Sequence, residues 1–276
     1  MARVRRLSIQ EFLREVVPFL IEREVENNLL LGIADQHASR GEPASDAVWL
    51  ALEENGRVVG AAVRTPPHYV AVSHLPPGAA RAVAQFFVQL GAVPDGSSGP
   101  DDHGRDVLVG IREELGGIVE LLSPETIYEL SSVLDFEPPP GSARTATADD
   151  LEVVKGYFQA FARELVLPPG MDVTAMAEAH VERGTALLWE DRGPRALACR
   201  ARKTPTGSAI APVYTPPESR RRGYGAAVTA ELARRLLGVG NRFVCLFADR
   251  KNPTANHVYQ SVGFRRVGDF NVWKLR

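Results

Sequence analysis

Hydrophobic and polar positions along this chain repeat one long pattern twice, on either side of Glu137-Pro-Pro-Pro-Gly141. Three consecutive prolines fit neither a helix interior nor a central strand, so they mark a boundary. Before them, Arg3–Leu7 predicts a short strand. Ser8-Ile-Gln-Glu11 predicts a helix start, with Ser at the cap and Glu three residues on. Val48–Leu52, Val58–Arg64 and Tyr69–Leu75 predict strands, punctuated by Glu54-Asn-Gly56, Thr65-Pro66 and Pro76-Pro77. A helix carrying Val83, Phe86, Phe87 and Leu90 follows. After the prolines, Ala143–Ala146 leads into Thr147-Ala-Asp-Asp150, a similar capped start with Asp in the Glu position. The helix behind it carries Leu151, Val154, Phe158 and Phe161. Thr185–Trp189, Arg195–Lys203 and Ala209–Thr215 predict strands, broken at Asp191-Arg-Gly193, Thr204-Pro205 and Pro216-Pro217. A helix with Val228, Leu232 and Leu236 comes next. The repeat is long, which predicts tandem domains, residues 1–141 and 142–276, and not a solenoid.

Composition supports two domains and removes several function classes. The chain has 276 residues, against ~150 for a typical domain. Lys and Arg total 32 and Asp and Glu 34, a net charge of −2. A nucleic-acid clamp carries a clear positive excess, so that partner is not expected. Cys199 and Cys245 stand in no CxxC pattern, and the histidines, His180 and His257 among them, show no HExxH-like spacing. Neither a disulfide framework nor a metal is therefore expected. The N-terminal apolar run Val16–Ile21 lies between Glu15 and Glu22, too short for a secretory signal or a membrane span. A cytoplasmic protein with no membrane partner is the expectation.

The halves differ where strand meets helix. The second half has Glu218-Ser-Arg-Arg-Arg-Gly-Tyr-Gly225 there, and the first only Gly78-Ala-Ala-Arg81. Gly223 and Gly225 let another group approach the backbone, and the first N–H groups of the helix lack internal partners. With Arg220, Arg221 and Arg222 around it, the loop suits a phosphate. The plain alternative is a capped helix with a solvated basic run. Downstream, Phe243–Ala248 predicts a buried strand. Asn252 is a good N-cap, Pro253 suits the first helical position, and Gly263 ends the helix.

Arg220-x-x-Gly223-x-Gly225 followed by Asn252-Pro253-x-Ala255-x-x-x-Tyr259-x-x-x-Gly263-Phe264 resembles the two signatures of the GNAT superfamily of N-acetyltransferases. The match covers roughly residues 142–276; the first half is similar in element order only. The resemblance implies an α/β (α+β) protein of two tandem GNAT-like domains, each a mixed, mostly antiparallel sheet flanked by helices. Residues 142–276 would be the catalytic domain, and residues 1–141 a degenerate one without the cofactor loop. It further implies acetyl-CoA as co-substrate and a small-molecule or peptide amine as acceptor, attacking the thioester directly. Val213, Tyr214 and Thr215 would lie along the pantetheine arm. The backbone of Arg221, Arg222, Gly223, Tyr224, Gly225 and Ala226 would hold the pyrophosphate, with an arginine of the run, Arg220 included, near the 3′-phosphate. Asn252 would bond the cofactor arm beside Ala255 and Asn256. Tyr259 would protonate the departing thiolate; its plain alternative is a core aromatic.

One departure from the family concerns the base. Many members carry a glutamate in the strand before the loop, where this chain reads Ser208-Ala-Ile-Ala-Pro-Val-Tyr-Thr215. Glu190, Asp191, Glu218 and the carboxylate of Arg276 are the candidates, with nothing to choose among them and each more simply an ordinary surface charge. Without the usual base, a non-catalytic acyl-CoA-binding or sensing module is the alternative function. A dinucleotide fold is excluded: seven residues separate Thr215 from Gly223, where that fold turns tightly at the strand end.

Overall fold

The computed structural model describes residues 2–40, 46–165 and 171–276. In chain order these form β1 (Arg3–Leu7), α1 (Ile9–Glu15), α2 (Val17–Ile21), α3 (Asn28–Arg40), β2 (Val48–Glu54), β3 (Arg57–Arg64), β4 (Val70–Val72), α4 (Ala79–Leu90), β5 (Gly96–Pro100), α5 (His103–Leu115) and β6 (Val119–Leu130). There follow β7 (Ser142–Thr145), α6 (Leu151–Glu164), α7 (Val173–Glu182), β8 (Ala186–Glu190), β9 (Pro194–Lys203), β10 (Gly207–Tyr214), α8 (Tyr224–Gly238), β11 (Phe243–Asp249), α9 (Pro253–Val262) and β12 (Arg265–Leu275). No helix among the described residues is long and apolar enough to cross a membrane.

Contacts divide the chain into two units. The first runs to Ile127 and regains Val267–Arg276; the second spans Tyr128 to Arg266. The boundary expected at the triple proline thus falls earlier, and the last strand leaves the half in which it is encoded. Pairing is the reason: β12 joins β5 antiparallel from Phe270↔Pro100 to Lys274↔Gly96. In turn, Tyr128 and Leu130 of β6 pack into the core of the second unit.

In the first unit β1, β2, β3 and β4 pair antiparallel in order, β4 pairs parallel with β5, and β12 follows. Val48-Trp-Leu-Ala-Leu52 is buried throughout, because successive side chains point to opposite faces and both faces are covered. Val48, Leu50 and Leu52 meet Val83 and Phe87 of α4 and Ile111 of α5. Trp49 and Ala51 meet Phe12 of α1 and Leu20 of α2. The capping box at Ser8 and Glu11 is formed. β5 is the element with no sequence signal. Its Gly-Ser-Ser-Gly-Pro reads as a loop yet is wholly buried. A Cβ at Gly96 would enter the ring of Tyr69, and one at Gly99 would lie 2.6 Å from Val72 Cγ2. The glycines are there for close packing, not for turning.

The second unit repeats the plan. β7, β8, β9 and β10 pair antiparallel, β10 pairs parallel with β11, and β6 lies beside β11. Leu187, Trp189, Ala198 and Ile210 pack under α8 and α9, while Leu188, Leu197 and Cys199 pack under α6 and α7. The Thr147–Asp150 capping box is present. Arg144 of β7 bonds Asp150 at 2.6 Å and Glu190 of β8 at 2.5 Å. The α/β class and the mixed, mostly antiparallel strand pairing flanked by helices in each unit are therefore as expected from sequence.

Candidate functional site

The chemistry-bearing motifs meet in the second unit, at the carboxyl end of β10. Its parallel pairing with β11 runs over Gly207↔Phe243, Ser208↔Val244 and Ala209↔Cys245. Beyond Ala209 no further pair joins these strands among the described residues. β10 departs from regular register against β9 in the same stretch, between Ala209 and Ile210 and between Ile210 and Val213. Such irregularities re-aim a strand. Val213 and Tyr214 remain paired to β9, so their other backbone edge faces the gap left by β11. Thr215 follows, half-buried.

From Thr215 the chain passes through a short 3-10 turn, Pro217–Ser219, to the arginines. Arg221 sits at φ 60° and Gly223 at φ 83°, both left-handed. Gly223 is the N-cap of α8, and no side chain caps it. The first N–H groups of a long helix, Tyr224, Gly225 and Ala226, are thus presented at its positive end without a protein acceptor from the cap. A Cβ at Gly225 would stand 3.0 Å from Thr215 Oγ1, so strand end and helix start approach closely there. The loop fits an anionic, phosphate-like group.

The three arginines separate in role. Arg220 is held: Nε donates to Thr215 O at 2.9 Å, Nη2 to Glu164 at 2.5 Å, and the guanidinium lies 5.8 Å from the Tyr214 ring centre. Glu164 raises its already high pKa. Arg221 and Arg222 are exposed. Arg222 lies over the ring of Tyr224 at 5.2 Å, and Tyr224 donates its hydroxyl to Asp191 Oδ2 at 2.5 Å. That carboxylate raises the Tyr224 hydroxyl above its ordinary pKa. Pro140, Asp191, Arg192, Arg195 and Arg222 line an open depression of about 430 Å³ beside the loop. Arg192 and Arg195 carry no motif, and their part in this basic wall was not legible in the sequence.

On α9, Asn252 accepts from Ala255 N at 3.0 Å through its side-chain oxygen, as the cap expected of it. Asn256 is built into the unit. Its amide donates to Asp249 O and Asn252 O, and its oxygen accepts from the Tyr128 hydroxyl at 2.8 Å. Ala255 is half-buried against the core. Tyr259 is buried between Tyr128 and Phe264, ring centres 6.3 and 6.0 Å away. Among the described residues its hydroxyl has no hydrogen-bond partner. Burial pushes its pKa up to about 12. Tyr128 escaped the sequence reading because it precedes the prolines and so counted with the first half.

The candidate bases scatter. Glu190 is bonded to Arg144 and Asp191 to Tyr224, and Glu218 is exposed in the turn before the arginines. Arg276 lies in the first unit, its backbone paired with Ile118. Cys199 is buried and burial pushes its thiol pKa up, which removes it as a nucleophile.

Comparisons agree with this geometry. The family model described as FR47-like protein matches residues 191–274, the stretch that holds the loop and α9. No curated protein matches the chain. A solved Drosophila protein is similar over 100% of this chain and 99% of its own, at TM-score 0.68 and 15% identity. A GCN5-related N-acetyltransferase from Sphaerobacter thermophilus is similar over 99% of this chain and 95% of its own, at TM-score 0.65 and 16% identity. A tandem GNAT protein from the clavulanic acid biosynthesis pathway covers 99% of this chain and 98% of its own, at TM-score 0.52 and 14% identity. The chain has the GNAT fold in tandem. Within this tandem fold the two units keep one strand order. The connection after β4 in the first unit is short and lacks the arginine run, although α4 also begins behind a left-handed glycine, Gly78 at φ 80°.

Proposed function

We propose that this tandem GNAT-fold protein is an acetyltransferase moving the acetyl group of acetyl-CoA to a primary amine of a small-molecule or peptide acceptor. The observation that carries the reading is one coincidence in the second unit. β10 and β11 part beyond Ala209 directly ahead of a helix that starts uncapped behind left-handed Arg221 and Gly223.

Bound acetyl-CoA supplies an acetyl group activated as a thioester. The chain's part is to hold, orient and donate. The open edge of Val213, Tyr214 and Thr215 would pair with the pantetheine amides. The N–H groups from Arg221 to Ala226 would hold the pyrophosphate at the helix dipole. Arg192, Arg195 and Arg222 around the depression suit the 3′-phosphate. The Asn252 side-chain amide, its oxygen already used as the cap, keeps donors for the cofactor arm. Tyr259, with a pKa of about 12, stays protonated at neutral pH and would give its proton to the leaving sulfur. β10 bears no carboxylate, so the amine would lose its proton to water or arrive neutral. The short connection after β4 implies one acetyl-CoA per chain, in the second unit.

The test is an acceptor screen with the purified full chain, following release of free CoA with polyamines, amino acids, aminoglycosides and peptides. Turnover that disappears in Gly223→Val supports the reading. Stoichiometric acetyl-CoA binding without turnover would favour the acyl-CoA-binding or sensing module, which the missing carboxylate on β10 would explain. Absence of binding would refute both.

A further inference from the structure

In the first unit, the place that corresponds to the β10–β11 gap holds a different set of side chains. β4 and β5 are the parallel neighbours there, paired at Val70↔Ser97 and Ala71↔Ser98. His74 follows β4, and Asp101 and His103 follow β5. In open α/β sheets ligands are taken at the carboxyl ends of such strands.

The side chains converge on one point. His74 Nδ1 and His103 Nε2 face each other at 3.2 Å, with the rings nearly perpendicular at 75°. A carboxylate oxygen of Asp101 completes a group whose ligand atoms all lie within 4.8 Å of one another. Two nitrogens at about 2.0–2.1 Å from a tetrahedral zinc ion stand roughly 3.3–3.4 Å apart, close to the spacing of this pair. Asp101 is exposed, so its carboxylate can swing the remaining distance.

A fourth residue supplies independent support. Glu26 Oε2 faces His74 Nε2, the ring nitrogen turned away from the cluster, at 3.4 Å; Arg23 stands 3.6 Å from the same oxygen. Both facing atoms are shielded from solvent and form no regular hydrogen bond. A carboxylate behind the far nitrogen of a histidine is the arrangement that fixes a metal ligand's tautomer and orientation. It would leave the His74 Nδ1 lone pair directed at the cluster.

We propose that the first unit binds a divalent transition-metal ion of the zinc class through His74 Nδ1, His103 Nε2 and the Asp101 carboxylate, with Glu26 holding the back of His74. Three protein ligands leave a fourth position open to water or a ligand. The ion would tie the segments after α2, β4 and β5 together. It has no part in the acetyl-CoA reading, and the sequence offered no hint of it because His74 and His103 lie in different connections.

The test uses the full chain without a histidine tag. Zn²⁺ is titrated calorimetrically, and Co²⁺ is followed by its visible d–d absorption. One equivalent should bind, with an intense tetrahedral or five-coordinate cobalt spectrum. His74→Ala and His103→Ala should abolish the site, Glu26→Gln should weaken it about 10–100-fold, and His68→Ala should leave it unchanged. Asp101 has φ 47°, which asparagine tolerates; Asp101→Asn therefore preserves the fold and should still weaken binding at least about tenfold. Thermal melts of every variant without metal establish that each is folded. No stoichiometric Zn²⁺ binding, binding that survives both histidine variants, or undiminished binding by Asp101→Asn would overturn the proposal.

Discussion

Replacement of Gly223 tests the proposed cofactor loop most directly, because the structure separates the two ways a side chain could act there. A Cβ at Gly223 would meet only Pro139 carbons, the nearest at 3.6 Å, which is ordinary contact. Space is therefore not the obstacle; conformation is. At φ 83° an L-residue is penalised by roughly 1–2 kcal/mol. In Gly223→Ala the loop can hold its shape and lose that much stability, or relax and turn the N–H groups of Tyr224, Gly225 and Ala226 away from their common direction. In the second case a ligand must restore the strained form, and affinity for acetyl-CoA falls by about 5–30-fold. Gly223→Val adds a β-branched side chain to the left-handed region, a backbone outlier, and should abolish binding. Arg221→Gly is the opposite control. It relieves a left-handed arginine at φ 60°, keeps affinity, and raises stability by up to about 1 kcal/mol. Calorimetry gives the affinities, and melting temperature separates stability from binding. A folded Gly223→Val that binds acetyl-CoA with unchanged affinity would refute the reasoning and remove the loop from the site.

Three further outcomes follow from other parts of the structure. Tyr259→Phe keeps the packing against Tyr128 and Phe264, so turnover should drop about 10²-fold with affinity intact; lost affinity at unchanged turnover would make Tyr259 a wall. With its pKa at about 12, Tyr259 donates at any pH below that value, so a pH–rate limb between 6 and 10 that vanishes in Tyr259→Phe would contradict the role. Asp150 is held well below the usual carboxylate range, first by Arg144 and, opposed by burial, also by Thr147; its contribution is present above pH ~4 and lost as pH falls through the lower folded value. Asp150→Asn should therefore destabilise by about 2 kcal/mol at pH 7 and less in acid; equal losses at pH 7 and pH 2 in denaturant melts would count against it. Finally, residues 142–276 expressed alone lack Tyr128 and Leu130 of the second core and carry β12 without β5. That fragment should fail to melt cooperatively, and a fully active fragment would contradict the division of the chain.

The sequence by itself determined what depends on neighbours three or four residues apart. Ser8 with Glu11 and Thr147 with Asp150 close their capping boxes as expected. Asn252, Pro253 and Gly263 bound α9, and Gly223 opens α8 at a left-handed φ. Each is a local backbone event with a local chemical signal. Tertiary structure alone decided what depends on remote partners. Gly96-Ser-Ser-Gly-Pro100 becomes a buried strand because Tyr69 and Val72 press on its glycines and β12 pairs along it. The hydroxyl of Tyr128 reaches Asn256, that of Tyr224 reaches Asp191, and His74 meets His103. No periodicity records those meetings, since strand pairing and packing at long separation are set by the whole sheet. The second unit's left-handed glycine at the start of α8 could be read from its letters, whereas the histidine cluster of the first exists only once β4 and β5 lie side by side.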